Sequence, residues 1–315
     1  MPSCSRATAP ALAIAIATAA ASTPAIADGF AVERLRLAPP GAGWIALDSL
    51  DMRGGLGGAV ALSGGYARAP LRVDGTPVVA NQAFADVAAS VTWDRFRAHL
   101  GLTSPLRVSG RSTGVGAARI EAPDVSLGRH PDTLSDARVG ASARLLGGPA
   151  GGFRLGASAE LRVPSGDRVD YVTDGTYRGV ILSSFAGDHG ALTYAGQLGV
   201  HLRPLDVPSI PGGPRGSELL FGLAVGARLP FGPTAIVVGP EVFGETALRS
   251  AFGAQSTGVE GLLSLRVEGT AEDGPQLRAR VGVGAGLDPR FGAPEWRMVF
   301  GVELFGRTGH RSAKP

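Results

Sequence analysis

Along most of the chain, apolar and polar residues alternate one for one. In FRLGASAELRV, Phe153, Leu155, Ala157, Ala159, Leu161 and Val163 alternate with Arg154, Gly156, Ser158, Glu160 and Arg162. A period of two places the two sets on opposite faces of a strand. The same rhythm runs through ARVGASARL from Ala137, YAGQLGVHLR from Tyr194, VEGLLSLRVEG from Val259 and LRARVGVGAG from Leu277. About twelve such segments of roughly nine to thirteen residues are predicted, the length that carries a tilted strand across a bilayer. They begin at Leu56, Gln82, Arg95, Asp136, Gly152, Tyr177, Ala191, Glu218, Thr234, Val259, Gln276 and Glu295. Pro240 interrupts the ninth, and its missing ladder donor predicts a bulge or an end there.

The connections alternate short and long. Short ones lie near Trp93, Gly147, Gly187, Phe231 and Glu272. Long ones are expected over Arg68–Asn81, Val108–Ser135, Pro164–Thr176, Pro204–Ser217, Arg249–Gly258 and Asp288–Pro294. An even strand count with long loops at one end is the rule of outer-membrane barrels. Trp93 and Tyr194 fall beside short turns, and Tyr66 and Trp296 beside long loops, as two aromatic girdles at the membrane interfaces would. The expected fold is therefore all-β, a transmembrane antiparallel up-and-down β-barrel of about twelve strands. The apolar face of each strand meets lipid, and the polar face lines the interior. A soluble periplasmic β protein is the alternative, and it requires a second layer over the apolar face.

Composition agrees. Hydrophobic residues make up 44% of the 315 positions and charged ones 18%, which is too apolar for a disordered chain. With 48 glycines, the chain is poorly supplied with side chains for a soluble core. A face turned to lipid needs no such interlocking. The net charge of +3 is not concentrated in a basic block, so no nucleic-acid partner is expected.

The N-terminus carries Arg6, a small-residue apolar run and an A-x-A site at Ala25, Ile26 and Ala27, which reads as a signal peptide over 1–27. Cys4 would leave with it, so no disulfide is expected. Residues 28–52 form either a periplasmic lead-in or a lumen plug. The barrel is expected over 53–307, with a tail at 308–315.

Trp44, the LDSLD of Leu47–Asp51, Arg53, Gly54 and Tyr66, within the stretch from Gly43 to Leu71, resemble the start of myxobacterial-type outer-membrane barrels. The general pattern extends over most of the mature chain. In many relatives the barrel precedes a peptidoglycan-binding domain of the outer-membrane protein A type. The resemblance implies a barrel more than an activity. Only GRTGHRSAKP follows Phe305 here, so cell-wall anchoring is not carried over. The last strand, WRMVFGVELFG, resembles the signal read by the barrel-assembly machinery. Gly301, Leu304 and the outward series Trp296, Met298, Phe300 and Val302 fit, whereas Phe305 has the opposite parity.

Catalytic signatures are lacking. There is no G-x-S-x-G, H-E-x-x-H or Walker A sequence, and the GVGVGAG around Gly282 lacks phosphate-loop spacing. A barrel hydrolase would need a Ser/His pair at the rim, and none stands out. The protein is therefore expected not to be an enzyme. The histidines are dispersed. His99 and His201 share inward parity, but with no further ligands evident, neither a metal nor a cofactor is expected. Asp170, Asp174 and Asp188 read as solvated loop or turn charges.

The inward parity gathers Arg138, Arg144, Arg154, Glu160, Arg162, Arg203, Glu260, Arg266, Glu268, Arg278, Arg280 and Glu303 as lumen residues. Arg95, Arg97, Arg228, Arg297, Asp86, Glu241 and Glu245 share that parity. The functional expectation is an outer-membrane pore or transporter for small solutes with an Arg/Glu lumen and a mild anion preference. The alternative is a non-conducting structural or adhesive barrel acting through its long loops. Expected partners are outer-membrane lipid, the assembly machinery and small solutes.

Overall fold

A computed structural model describes residues 26–27, 29–52, 55–115, 118–129, 133–149, 151–205, 216–253, 256–269, 274–288 and 292–307. Most of the expected signal peptide, Arg53 and Gly54 of the opening motif, and the tail 308–315 lie outside the described residues.

Among the described residues, twelve long strands follow in order. They are β1 (Leu56–Val73), β2 (Thr76–Trp93), β3 (Phe96–Ser109), β4 (Ala137–Leu146), β5 (Arg154–Val163) and β6 (Arg178–His189). Then come β7 (Leu192–Leu202), β8 (Glu218–Phe231), β9 (Thr234–Ala247), β10 (Thr257–Gly269), β11 (Gln276–Asp288) and β12 (Trp296–Arg307). Each pairs antiparallel with its neighbours in sequence, and β12 pairs with β1, Trp296 facing Arg68, so the sheet closes on itself. Closure leaves every wall strand paired on both sides, which a hydrocarbon surround demands. Among the described residues, no helix is long and apolar enough to cross a membrane.

The two faces differ as the alternation requires. Leu263 on β10 is 62% exposed, while Leu262 beside it is 2% exposed. Val60, Leu62, Leu100, Leu102, Ile181, Leu198, Leu223, Phe300 and Val302 are exposed as well. Among the described residues, no second layer covers them. An apolar belt of this extent around a closed tube is stable only in lipid. The chain is a closed antiparallel β-barrel with an apolar outer belt, the architecture of outer-membrane barrels.

Most strand starts fall within two residues of expectation, with one large departure. The second strand begins at Thr76 instead of Gln82, and no long loop spans Arg68–Asn81. Instead β1 and β2 continue outward as a ribbon joined at Asp74–Gly75. Both turn residues have positive φ, 48° and 79°, the geometry in which Asp-Gly matches strand twist. The ribbon's Leu71, Val73, Val78 and Val79 bury in a cluster with Phe30, Val32, Val108, Ile120, Val125, Tyr171, Val172 and Leu205. That cluster caps the loop end of the barrel. Short strands at Thr113–Val115, Ala118–Ile120 and Asp124–Ser126 fold within the Val108–Ser135 connection, and the last pairs with β3. Pro240 neither ends nor bulges β9. Its ladder to β10 is continuous, while the ladder to β8 skips Gly239 and Pro240.

The four aromatics flank the barrel. Tyr66 and Trp296 stack at 5.0 Å at the loop end, and the Tyr66 hydroxyl donates to Asn81. Trp93 is exposed and Tyr194 half-buried at the turn end. Phe305 turns inward, where the Arg278 guanidinium lies 4.4 Å over its ring.

Candidate functional site

The inner face of a twelve-stranded barrel is polar, and here a single segment occupies the space it encloses. Residues 29–52 enter at the loop end, run through the interior and leave at the turn end, where β1 starts. Near entry, the Ala31 amide donates to Asp174 at 2.9 Å and the Val32 amide to the Tyr171 carbonyl at 3.1 Å. Just below, Arg34 donates to Glu218 and Glu245, and further in Arg36 lies 3.7 Å from Glu160. Near the exit, Asp48 accepts from Arg97 at 2.7 Å, and Arg144 donates to the Met52 carbonyl.

Local sequence shapes this path. Pro39-Pro40-Gly41 turns the chain, with Gly41 at φ 89°, and Gly43 pairs with Asp48 in an isolated bridge. The turn projects Trp44, Ile45, Leu47, Leu50 and Met52 against Phe84, Ala186, Ala195, Ala224, Phe243 and Leu262 of the wall. Glycines on the wall make the room. A Cβ on Gly282 would sit 2.5 Å from the Ile45 side chain, and one on Gly226 would sit 2.8 Å from Trp44. The small-residue run around Gly282 therefore receives the segment.

The polar contacts divide into three levels. At the loop end, Arg178 donates to Asp136, Arg203 donates twice to Asp174 and once to Glu218, and Arg34 continues the chain to Glu245. Burial opposes the charge on Asp174, but Arg203 and Arg178 outweigh it and hold that carboxyl well below the usual range. Burial pushes the Tyr171 hydroxyl up to about 12, aided by Glu121, so it stays a donor to the Glu121 carbonyl. At mid-height, Glu160 meets His99, Arg162 and Arg36. Nearer the loop end, Arg297 donates to Glu260 and to Glu33 of the segment. Towards the turn end, Arg278 bridges Glu268 and Glu303, Arg266 lies 3.2 Å from Glu268, and Arg280 donates to the Trp44 carbonyl.

A cavity of about 60 Å³ lies beside the segment. Leu35, Leu37, Phe84, Pro105 and Val172 form its apolar side, and Arg138, Arg162, Arg178 and Asp136 its charged side. Gln82 and Asp136, which also line it, each keep a buried side-chain oxygen with no hydrogen-bond partner.

No protein-family model and no curated protein matches the chain. Solved structures do resemble it. The NanC porin is 8% identical, with a TM-score of 0.48 over 79% of this chain and 100% of that one. An outer membrane channel from Pseudomonas putida F1 is 12% identical, with a TM-score of 0.49 over 86% of this chain and 99% of that one. The β domain of the Bordetella autotransporter BrkA is 16% identical, with a TM-score of 0.41 over 78% of this chain and 98% of that one. These likenesses concern architecture and identify no solute or reaction.

The twelve positions read from the alternation as lumen residues make the following contacts. Arg138 donates to Asp86 at 2.7 Å. Arg154 donates to the Ser49 carbonyl and to Asp188. Arg144, Glu160, Arg162, Arg203, Glu260, Arg266, Glu268, Arg278, Arg280 and Glu303 make the contacts given above. Two readings need correction. Arg95 is an exposed turn residue, because β3 begins one residue later. Asp174 is not a solvated loop charge. It is 1% exposed, because its loop folds back onto Arg203. His99 and His201, which share inward parity, are both buried and face different partners. The first faces Glu160, and the second faces Glu218 and Glu245.

The alternation missed the segment's own contributions, above all Glu33, Arg34, Arg36, Asp48 and Trp44. A signal exists for the first three. ERLRL sets three charges in five residues, alternating with leucine from Arg34 onward.

Proposed function

We propose that the protein is a plugged pore for small solutes, with residues 29–52 as the plug. The observation that carries this reading is where the wall charges find their partners. Glu241 accepts the Ile45 and Ala46 amides at 3.0 and 2.9 Å, and Arg97, Arg144, Arg154 and Arg280 all donate to the plug. A wall satisfied by its own Arg–Glu pairs would have no need of those contacts. A wall whose partners sit on a separable segment becomes a wetted channel when that segment shifts. On the wall of the cavity beside the plug, Arg138, Arg162 and Arg178 outnumber Glu33 and Asp136, which favours anions. The reading is not enzymatic. Within the outer-membrane barrels, we place the chain with the myxobacterial type that its opening segment resembles.

The test is solute flux through liposomes carrying the refolded mature chain. Glu33→Gln with Asp48→Asn removes two plug anchors, to Arg297 and Arg97. Swelling in small sugars and carboxylates should then quicken several-fold. Equal swelling by the intact and loosened chains, both folded, would contradict the reading.

A further inference from the structure

His201 on β7 and Glu218 on β8 stand directly opposite one another. Glu245 on β9 lies two residues before Ala247, the partner of Glu218, so its side chain shares their inner face. The His201 Nδ1 is 3.4 Å from the Glu218 Oε2 and 3.6 Å from the Glu245 Oε2. All three side chains are buried, and neither ring nitrogen of His201 has a hydrogen-bond partner. The Arg34 Nη1 from the plug lies 3.0 and 2.9 Å from the same two carboxylate oxygens.

A buried imidazole with both nitrogens unsatisfied is costly, and native structures rarely keep one without a role. The spacing suggests the role. Zinc holds nitrogen and oxygen ligands tetrahedrally at about 2.0–2.2 Å, which sets neighbouring ligand atoms about 3.3–3.6 Å apart. The two His–Glu separations fit that edge, and the three groups' ligand atoms all lie within 4.8 Å of one another. One imidazole and two carboxylates suit zinc and similar divalent ions. Charge points the same way. The direct run Asp136–Arg178–Asp174–Arg203–Glu218–Arg34–Glu245 holds four carboxylates and three guanidiniums. A divalent ion in place of Arg34 would make the run neutral.

We propose that His201, Glu218 and Glu245 form a divalent-metal site of the zinc class, which the Arg34 guanidinium occupies in its place and which a metal ion takes by displacing it. Metal binding thereby releases one of the plug's anchors. Only this last consequence rests on the plugged-pore reading.

The test is zinc titration of the refolded mature chain in detergent, followed calorimetrically. Arg34→Gln should bind one zinc ion per chain at least about tenfold more tightly than the unchanged protein, a difference of about 1.4 kcal/mol. His201→Ala added to that background should abolish binding. The proposal is overturned if folded Arg34→Gln takes up no zinc, binds no better than the unchanged chain, or binds equally without His201. Should Arg34→Gln fail to fold, the unchanged chain is compared with His201→Ala at high zinc. Weak binding lost with His201 supports the site, and equal uptake or none in both refutes it. Zinc-dependent conductance is measured separately. Its absence alongside tight binding would reject the release of the plug and leave the metal site standing.

Discussion

Leu262 and Leu263 are neighbours on one strand, yet one packs inside against the plug and the other faces lipid. The contrast extends around the barrel. The outer face is selected for greasiness alone, so Ala, Val, Leu and Gly suffice there. The inner face is selected for partners, so each guanidinium needs a carboxylate or carbonyl placed to meet it. One face should therefore tolerate any apolar exchange, and the other should resist even small changes.

The largest effect should come from Arg297, which is fully buried between Glu260 and Glu33. Arg297→Ala leaves Glu260 buried without its counter-charge and should destabilise the barrel by about 3–5 kcal/mol, read from urea unfolding in lipid vesicles. Next comes the pair on β10. Leu263→Arg places a charge against lipid and should cost about 2–4 kcal/mol if it lies near the midplane. Leu263→Val should cost far less, and a large loss on that exchange would mean protein covers the face. The smallest effect concerns Asp174 at the loop end, whose carboxyl is held low by Arg203 and Arg178 despite burial. A depressed folded pKa contributes stability above the unfolded value, near 3.9, and that stability is lost as pH falls through the folded one. Asp174→Asn should therefore lower thermal stability at pH 7, and its deficit should shrink as the pH drops below about 4. A deficit independent of pH would show that the ion pairs are not its source.

The wall was legible because a period of two survives whatever surrounds it. Strand order, closure and facing followed from that rhythm and the short turns. The ribbon at Asp74–Gly75 was misread as a loop, although Asp-Gly is a hairpin signal, because its apolar residues belong to the outer cap instead of the membrane belt. The interior was less legible. APPGAGWIALDSLD has no repeating period, and its fit depends on Gly226 and Gly282, which are remote in sequence. The charges of Glu33, Arg34 and Arg36 could have been noticed, but their partners on four different strands could not. Parity alone placed His201 and Glu245 inward, and only register brings them together.

Single-channel conductance in a planar bilayer tests the account most directly, comparing the mature chain with one lacking residues 29–52. The intact chain should stay mostly closed with brief openings. The deleted chain, still folded as shown by its heat-modified mobility on gels, should hold a steady open level with mild anion selectivity. A folded, plugless barrel that passes no current would contradict the account.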